Sequence, residues 1–208
     1  MKLVKTEFYL VRHGQTPYNI ILKLQGRVDI GLSELGLRQT SDVAEYLKDV
    51  DFVAAYTSPL SRAQITAKTV IGDRDIPLYI DEDIIERSYG NREGTIPTVE
   101  ERKTFFERDL HDIGGESYED VYNRASSVLL KLAEKYPDQR VLITTHGDWI
   151  MSLLRRIRPN WLEGYKRFGK QMIPNCSTTI LEVEDNQIKI KSLPDAAYVK
   201  ELWKQLFM

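Results

Sequence analysis

A chain of 208 residues, 42% of them hydrophobic and 29% charged, can bury a core unaided, which excludes a disordered chain and a disulfide-stapled miniprotein. Its 29 basic and 31 acidic residues nearly cancel and are scattered, so we expect no nucleic-acid partner. Cys176 is the single cysteine, no apolar run approaches the roughly 20 residues of a membrane helix, and the N-terminal residues are too polar for a signal peptide, so we expect a cytoplasmic protein.

The first half of the chain alternates short apolar runs with helical patterns. Strands are predicted over residues 8–11, 51–58 and 76–80. Helices are predicted between them, over residues 32–50 with Ser33 as N-cap and over residues 59–72 with Gly72 as terminator. Strands that alternate with helices in this way are typical of an α/β protein.

The second half continues this alternation and ends in a hairpin. The pattern predicts a helix over residues 117–137, a strand that begins at residue 140 and stops at His146 and Gly147, and a helix over residues 148–157. Residues 177–193 predict two antiparallel strands joined through Asp185 and Asn186. We therefore predict a single domain over residues 1–208, folded as a three-layer α/β/α sandwich around a mostly parallel central sheet.

A polar stretch at residues 88–116 interrupts the alternation. A short helix is predicted within it, from Thr98 to Arg108. Long polar segments between regular elements are often functional loops, so we predict that this insertion caps the site that the sheet carries.

Two histidines directly follow predicted strands. His13 follows the first strand and His146 a later one, and the next residues, Gly14 and Gly147, allow a ligand to approach the backbone closely. In open α/β sheets, ligands bind beyond the carboxyl ends of the strands. A single histidine at a strand end is usually an ordinary loop residue, but two of them in this position favour a site.

Two arginines accompany these histidines. Arg12 adjoins His13, and Arg62 lies at a predicted helix start after the second strand. A planar guanidinium matches phosphate oxygens, and helix starts favour anions. Each arginine alone could be a solvated surface charge, but together with the histidines they predict a phosphate-binding pocket.

Five motifs resemble those of the histidine phosphatase superfamily, also called the phosphoglycerate mutase family, and occur in that family's order: LVRHGQTPYN, SPLSRAQITA, ERSYGNREG, GGESYEDVYNR and THGD. The resemblance covers the chain from about Phe8 to His146. An R-H-G triplet alone is weak evidence, whereas R-H-G-x-T-x-x-N after a strand, followed by S-P-x-x-R-A and T-H-G, is specific. It implies a phosphoglycerate mutase-like fold.

The resemblance also implies covalent catalysis without a metal or other cofactor. His13 would attack phosphorus as a neutral imidazole and form a phosphohistidine that water hydrolyses. The family motifs, together with the glycine after the second histidine, imply that five residues surround the phosphate: Arg12, Asn19, Arg62, His146 and Gly147. The surrounding cations should lower the pKa of His13 and keep it neutral.

A carboxylic acid follows the third strand in this family, and Glu86 is the matching residue. Its rivals are Asp81, Glu82 and Asp83, and Glu86 could instead be a surface partner of Arg87. The motif position favours Glu86 as the acid that protonates the leaving group and then as the base that activates water.

Four further residues also match or adjoin family motifs. Gln25 and Gly26 are expected to shape the pocket wall, and Glu93 is expected to serve structure. Asp148, directly after T-H-G, is interpreted as a helix N-terminal acid rather than as a catalyst.

The family contains both phosphatases and mutases. ERSYG resembles the mutase form of this motif, with Arg87 and Tyr89 at positions that would bind a phosphoglycerate. If the protein were a mutase, 2,3-bisphosphoglycerate would be its cofactor. The chain is short after Glu86 and has acidic residues there, namely Glu93, Glu100 and Glu101, which favours a phosphatase. We predict a histidine acid phosphatase-type phosphomonoesterase that acts on a small phosphorylated metabolite. A silent phosphoester-binding module would need neither nucleophile nor acid.

Overall fold

The computed structural model describes residues 5–105, 108–161 and 173–200. Their six strands form one sheet: β1 (Lys5–Arg12), β2 (Ala54–Thr57), β3 (Leu78–Ile80), β4 (Arg140–Thr145), β5 (Thr178–Glu184) and β6 (Gln187–Asp195). The strand order is β3-β2-β4-β1-β5-β6, in which the first four strands are mutually parallel. The last two pairings are antiparallel, and Asp185 and Asn186 form the predicted turn between β5 and β6.

Six α-helices occur within the described residues: α1 (Pro17–Ile20), α2 (Glu34–Tyr46), α3 (Ser61–Ile71), α4 (Val99–Phe105), α5 (Tyr118–Lys135) and α6 (Gly147–Ile157). Single-turn 3-10 helices lie at Glu82–Ile84, Gly90–Arg92 and His111–Ile113. Ser33 caps α2 by accepting from the backbone N–H of Gly36, and Gly72 ends α3, both as predicted.

Helices cover both faces of the sheet, which confirms the predicted three-layer sandwich. Alternate residues of β1 point to opposite faces, so Phe8 and Leu10 pack with the apolar residues of α5 and α6. Val11 instead packs with apolar residues of α2 and α3, such as Val43 and Val70. Because both faces are covered, the central strands contain continuous apolar runs, Phe8–Val11 in β1 and Val141–Ile143 in β4, and their carboxyl ends meet at one edge.

The insertion at residues 88–116 contains its own small apolar cluster. Tyr89, Phe105 and Leu110 are buried together with Leu24, which lies before α2. The predicted helix over 98–108 is shorter than expected, Val99–Phe105, and residues 106 and 107 of that prediction lie outside the described residues. Among the helices that the structure describes, none is long and apolar enough to cross a membrane.

A close backbone contact fixes the loop after β1 against the start of α2. A β-carbon on Gly36 would lie 2.0 Å from the carbonyl oxygen of Gln15, and one on Gly14 would lie 2.6 Å from the carbonyl oxygen of Gly36. Such distances are far below van der Waals contact, and neither partner is a flexible side chain. Glycine at position 36 therefore lets α2 support the residues that follow His13.

Gly36→Ala should lower the free energy of unfolding by about 1–3 kcal/mol, because overpacking here forces the backbone apart. Urea denaturation would measure the loss. Gly31→Ala is the matched control, since no atom of the described chain lies within 4 Å of a β-carbon there. Equal stability of the two variants would contradict the packing argument.

Candidate active site

The carboxyl ends of β1, β2 and β4 bring the predicted histidines together. His13 follows β1 and His146 follows β4, and both side chains are buried. Their ring centroids lie 5.2 Å apart with the planes at 58°. β1 pairs with β4 in parallel, with Arg12 opposite Thr145, and this register places the two following residues side by side.

The ring of His13 is oriented by its own loop. Nδ1 lies 2.7 Å from the carbonyl oxygen of Gly14, so it carries the proton and donates, which leaves the lone pair on Nε2. Burial, and next the charges of Arg62 and Arg12, hold the pKa of His13 well below its usual range. His13 is therefore a neutral imidazole at physiological pH, with one nitrogen suited to nucleophilic attack.

His146 is held by a residue that the sequence reasoning did not single out. Its Nε2 lies 2.8 Å from the hydroxyl of Ser58, which follows β2 and is fully buried. Burial and the charge of Arg62 lower the pKa of His146 as well. Ser58 begins the S-P-x-x-R-A motif, so its position in that motif was the available signal.

The two arginines are fixed by backbone carbonyls. Arg62, fully buried at the start of α3, donates to the carbonyl oxygens of Val28 and Gly26 at 2.8 Å each. Burial lowers its pKa to about 10, so it remains cationic at neutral pH. Arg12 donates from Nη1 to the carbonyl oxygen of Ile173. Gly147, the first residue of α6, lies beside Arg12, since a β-carbon there would be 3.5 Å from its Nε.

Gly26 and Gln25 lie in the loop that carries these carbonyls. Gly26 has a φ of +51°, and a β-carbon on it would lie 2.4 Å from a carboxylate oxygen of Glu93. The same Glu93 carboxylate accepts from the backbone N–H of Tyr89 at 3.1 Å. The Gln25 side chain accepts from the hydroxyl of Thr16 at 2.8 Å. These contacts join the loop after β1 to the insertion.

Glu86 is the buried acid among the four candidates after β3. It is 7% exposed, whereas Glu82 and Asp83 are exposed and Asp81 is half-buried. Its Oε1 accepts from the backbone N–H groups of Arg87 and Trp149, at 2.9 and 3.2 Å. The interpretation of Glu86 and Arg87 as a surface pair is wrong, because both side chains are buried.

The environment of Glu86 favours its protonated form. Burial raises its pKa to about 7, aided by the nearby Asp148 carboxylate and opposed by the backbone hydrogen bond of Arg87 and the charges of Arg62 and Arg12. A carboxyl group with this pKa can donate a proton at neutral pH and accept one in a later step.

Asn19 lies at the end of a hydrogen-bond chain from His13. Its Oδ1 accepts from the backbone N–H of Thr16 at 3.1 Å and from Nδ2 of Asn175 at 3.3 Å. Nδ2 of Asn175 also donates to the carbonyl oxygen of His13 at 2.9 Å. With its oxygen engaged, Asn19 presents its amide hydrogens as the group that can donate to an anion.

Asn175 was missed because it lies far from the site along the chain and in no motif. It is fully buried just before β5, which runs antiparallel to β1. The backbone N–H of Cys176, the next residue, donates to the carbonyl oxygen of Arg12 at 3.0 Å. The segment before β5 therefore supports the loop that carries His13.

Asn175→Ala should lower kcat by roughly 10- to 100-fold with a smaller effect on KM, because it frees the loop that aims His13. Steady-state kinetics of the folded variant would measure this split. The aspartate side chain has the same shape as that of asparagine but no N–H donor, so Asn175→Asp should lower kcat by as much as Asn175→Ala. Wild-type kcat in the aspartate variant would contradict a role for the donated hydrogen bonds.

The site is an anion pocket that contains a candidate nucleophile and a candidate acid. One fully buried arginine, one half-buried arginine, two neutral histidines and one protonatable glutamate meet where three strands end. Among the residues that the structure describes, no group of three or more His, Cys, Asp or Glu side chains could hold a metal ion. An α/β sandwich with such a site belongs to the class of phosphoryl-transfer proteins.

The chain belongs to the histidine phosphatase superfamily (branch 1), whose family model matches residues 8–196. It is 37% identical over 152 residues to the uncharacterized phosphatase PhoE of Bacillus subtilis, covering 73% of this chain and 77% of that protein. It is 31% identical over 208 residues to a metal-independent phosphoserine phosphatase of Arabidopsis thaliana, covering 95% of this chain and 84% of the relative. Phosphoglycerate mutase-like proteins are among the other relatives.

A solved structure shows the same architecture. YhfR of Bacillus stearothermophilus superposes with a TM-score of 0.81 at 28% sequence identity, covering 94% of this chain and all of that one. A phosphoglycerate mutase of Bacillus anthracis superposes with a TM-score of 0.80 at 24% identity, covering 96% of this chain and 97% of that one, which confirms the predicted phosphoglycerate mutase-like fold.

Proposed function

We propose that this protein is a phosphomonoesterase that hydrolyses a small phosphorylated metabolite through a phosphohistidine. One observation carries the proposal: His13 donates from Nδ1 to Gly14, which leaves its buried, neutral Nε2 as the nucleophile beside two arginines. A mere binding module needs no such nucleophile. The Gly14 carbonyl also stabilises the positive charge that the ring acquires on phosphorylation.

In the first step, Nε2 of His13 forms a bond to phosphorus while the bond from phosphorus to the ester oxygen breaks. The electron pair remains on the departing oxygen, which takes the proton of Glu86. Arg12, Arg62 and His146 stabilise the charge on the non-bridging oxygens. Asn19 adds a neutral donor.

In the second step, water attacks the phosphohistidine. Glu86, now a carboxylate, accepts a proton from the water, and the bond between phosphorus and nitrogen breaks to release phosphate and restore His13. The glutamate returns to its protonated form, so the cycle needs no external acid. No step requires a metal, and one relative is named a metal-independent phosphoserine phosphatase.

The contacts of Arg87 and Tyr89 favour hydrolysis over mutase activity. Arg87 is fully buried and donates to the carbonyl oxygens of Glu116 and Arg108, at 2.8 and 2.6 Å. Tyr89 donates its hydroxyl to Asp148 at 2.9 Å. Both residues that would grip a phosphoglycerate are thus engaged within the protein.

The insertion at residues 88–116 is proposed to select the leaving group as a cap within a single domain. Two contacts between the insertion and the site support this role. Tyr89 belongs to the apolar cluster of the insertion, and the backbone N–H of Gly94 donates to the carbonyl oxygen of Leu24 at 2.8 Å. We also propose a cytoplasmic location, since the single cysteine is buried and can form no intramolecular disulfide.

A phosphate-release assay over a panel of phosphorylated metabolites, phosphoserine and 3-phosphoglycerate included, tests the proposal. We expect release that a chelator does not reduce and acid-labile labelling of His13 by radioactive substrate. Conversion of 3-phosphoglycerate to 2-phosphoglycerate that requires 2,3-bisphosphoglycerate would establish the mutase instead. Neither release nor labelling with any compound would overturn the proposal.

A further inference from the structure

A second carboxylate lies beside the proposed general acid. Asp148 is in the first turn of α6, and the backbone N–H groups of Asp148 and Trp149 both donate to the Glu86 carboxyl, at 3.4 and 3.2 Å. The side chain of Asp148 is 13% exposed, so its charge acts in a largely desolvated pocket. The proposed catalytic cycle gives Asp148 no task.

Asp148 is fixed by partners that suit an anion. Its Oδ2 accepts from the hydroxyl of Tyr89 at 2.9 Å and lies 3.7 Å from Nη1 of Arg87. The charge of Asp148 also acts on Tyr118, since it is the second cause, after burial, of the raised pKa of that hydroxyl. The guanidinium of Arg87 in turn stacks on the ring of Tyr118, 4.2 Å from its centroid. Tyr89 and Arg87 therefore hold this carboxylate next to Glu86.

The other charged or titratable groups around Glu86 act mostly in the opposite direction. They are Arg12 at the end of β1, Arg62 of α3, and Arg27 and Arg124, whose guanidinium groups donate to the Glu86 carbonyl oxygen, together with Tyr89. Arg27 and Arg124 are ion-paired with Glu116, at 2.9 and 3.1 Å, which compensates their charge. Arg62 and Arg12 favour loss of the Glu86 proton, whereas burial and the charge of Asp148 oppose it.

We propose that Asp148 is a positioning residue whose fixed negative charge retains the proton on Glu86, so that the acid is loaded when substrate binds. This inference rests on the proposed function for its kinetic consequence, but the proton itself can be observed without turnover. Two carboxylates held close together cannot both ionise easily, so the less well-compensated one keeps its proton. The raised pKa of Glu86, with Asp148 as the second cause after burial, agrees with this geometry.

Asp148→Asn should move the descending limb of the kcat/KM profile for an alkyl phosphate to lower pH. Without the charge of Asp148, Arg62 and Arg12 lower the pKa of Glu86 from about 7. At a pH above the limb of either enzyme, kcat/KM of the variant should therefore be roughly tenfold lower than that of the wild type. Asp148→Glu keeps the charge and should retain the wild-type limb. Glu34→Gln removes an acid from the first turn of α2 and should change nothing, because that residue is exposed.

A double-mutant cycle separates this role from a structural one. In a Glu86→Gln background there is no proton for Asp148 to retain, so adding Asp148→Asn should cause little further loss. Equal losses in both backgrounds would overturn the proposal, because they would show that Asp148 acts only by holding the insertion in place.

A titration of the Glu86 carboxyl group by carbon-13 NMR distinguishes the two proposals. A lower pKa in Asp148→Asn than in the wild type supports the inference even if no substrate is found. An unchanged pKa overturns it even if the wild-type enzyme is an active phosphatase. Should Asp148→Asn fold poorly, the double variant Tyr89→Phe/Asp148→Glu keeps the test. Its negative charge at position 148 remains, so the Glu86 carboxyl group is expected to titrate as in the wild type.

Discussion

Replacing His13 by alanine should lower kcat/KM by roughly four orders of magnitude or more, because removal of a covalent nucleophile leaves only binding and electrostatic stabilisation. The radioactive label should disappear with it. Phosphate or vanadate should still bind, since Arg12, Arg62 and His146 remain. Phosphate release, acid-labile labelling and equilibrium binding measure the three expectations separately.

His111→Ala is the matched control for this loss. His111 is exposed and lies between Asp109 and Asp120, outside the pocket. Its replacement should leave kcat/KM unchanged. Turnover near the wild-type rate in His13→Ala would exclude the covalent route, and the site would then have to act by direct attack of water.

Replacing Glu86 by glutamine should lower kcat/KM by roughly 100- to 10,000-fold for alkyl phosphates, because an alkoxide cannot leave without a proton. The loss should be much smaller for p-nitrophenyl phosphate, whose phenolate leaves unaided. Glutamine can still accept the backbone hydrogen bonds of Arg87 and Trp149, so the fold should be preserved. Equal losses for both classes of ester would contradict the role of Glu86 as acid.

The pH dependence gives the same test a second readout. Glu86 has a raised pKa of about 7, so its proton is present below that value and is lost as the pH rises through it. The wild-type kcat/KM for alkyl phosphates should therefore fall above about pH 7, and this limb should vanish in Glu86→Gln. His13 has a lowered pKa, so no loss should appear near pH 6.5 on the acid side.

Glu82→Gln is the control for Glu86→Gln. It makes the same chemical change four residues earlier, on an exposed side chain of the 3-10 helix Glu82–Ile84. Neither the rate nor the pH profile should change. A loss confined to Glu82→Gln would reassign the acid to a residue outside the buried site.

The local pattern of residues determined the elements and the edge at which the site lies. Apolar runs that end in R-H-G and T-H-G predicted strands β1 and β4 with a histidine beyond each, and Ser33, Gly72, Asp185 and Asn186 marked caps and turns where the structure has them. These signals are local, because capping and turn formation depend on residues only a few positions apart. The strand predicted to stop at His146 and Gly147 ends at Thr145, and His146 caps α6.

Tertiary structure alone decided which groups support the side chains of the proposed active site. Asn175 meets His13 across 162 positions of the chain, and Asp148 meets Tyr89 across 59. No periodicity or spacing encodes such contacts, because they arise where segments far apart in the sequence pack together. The burial that raises the pKa of Glu86 and lowers that of His13 is likewise a property of the packed molecule. The sequence therefore indicated the proposed reacting groups, whereas packing determines the direction in which their pKa values shift.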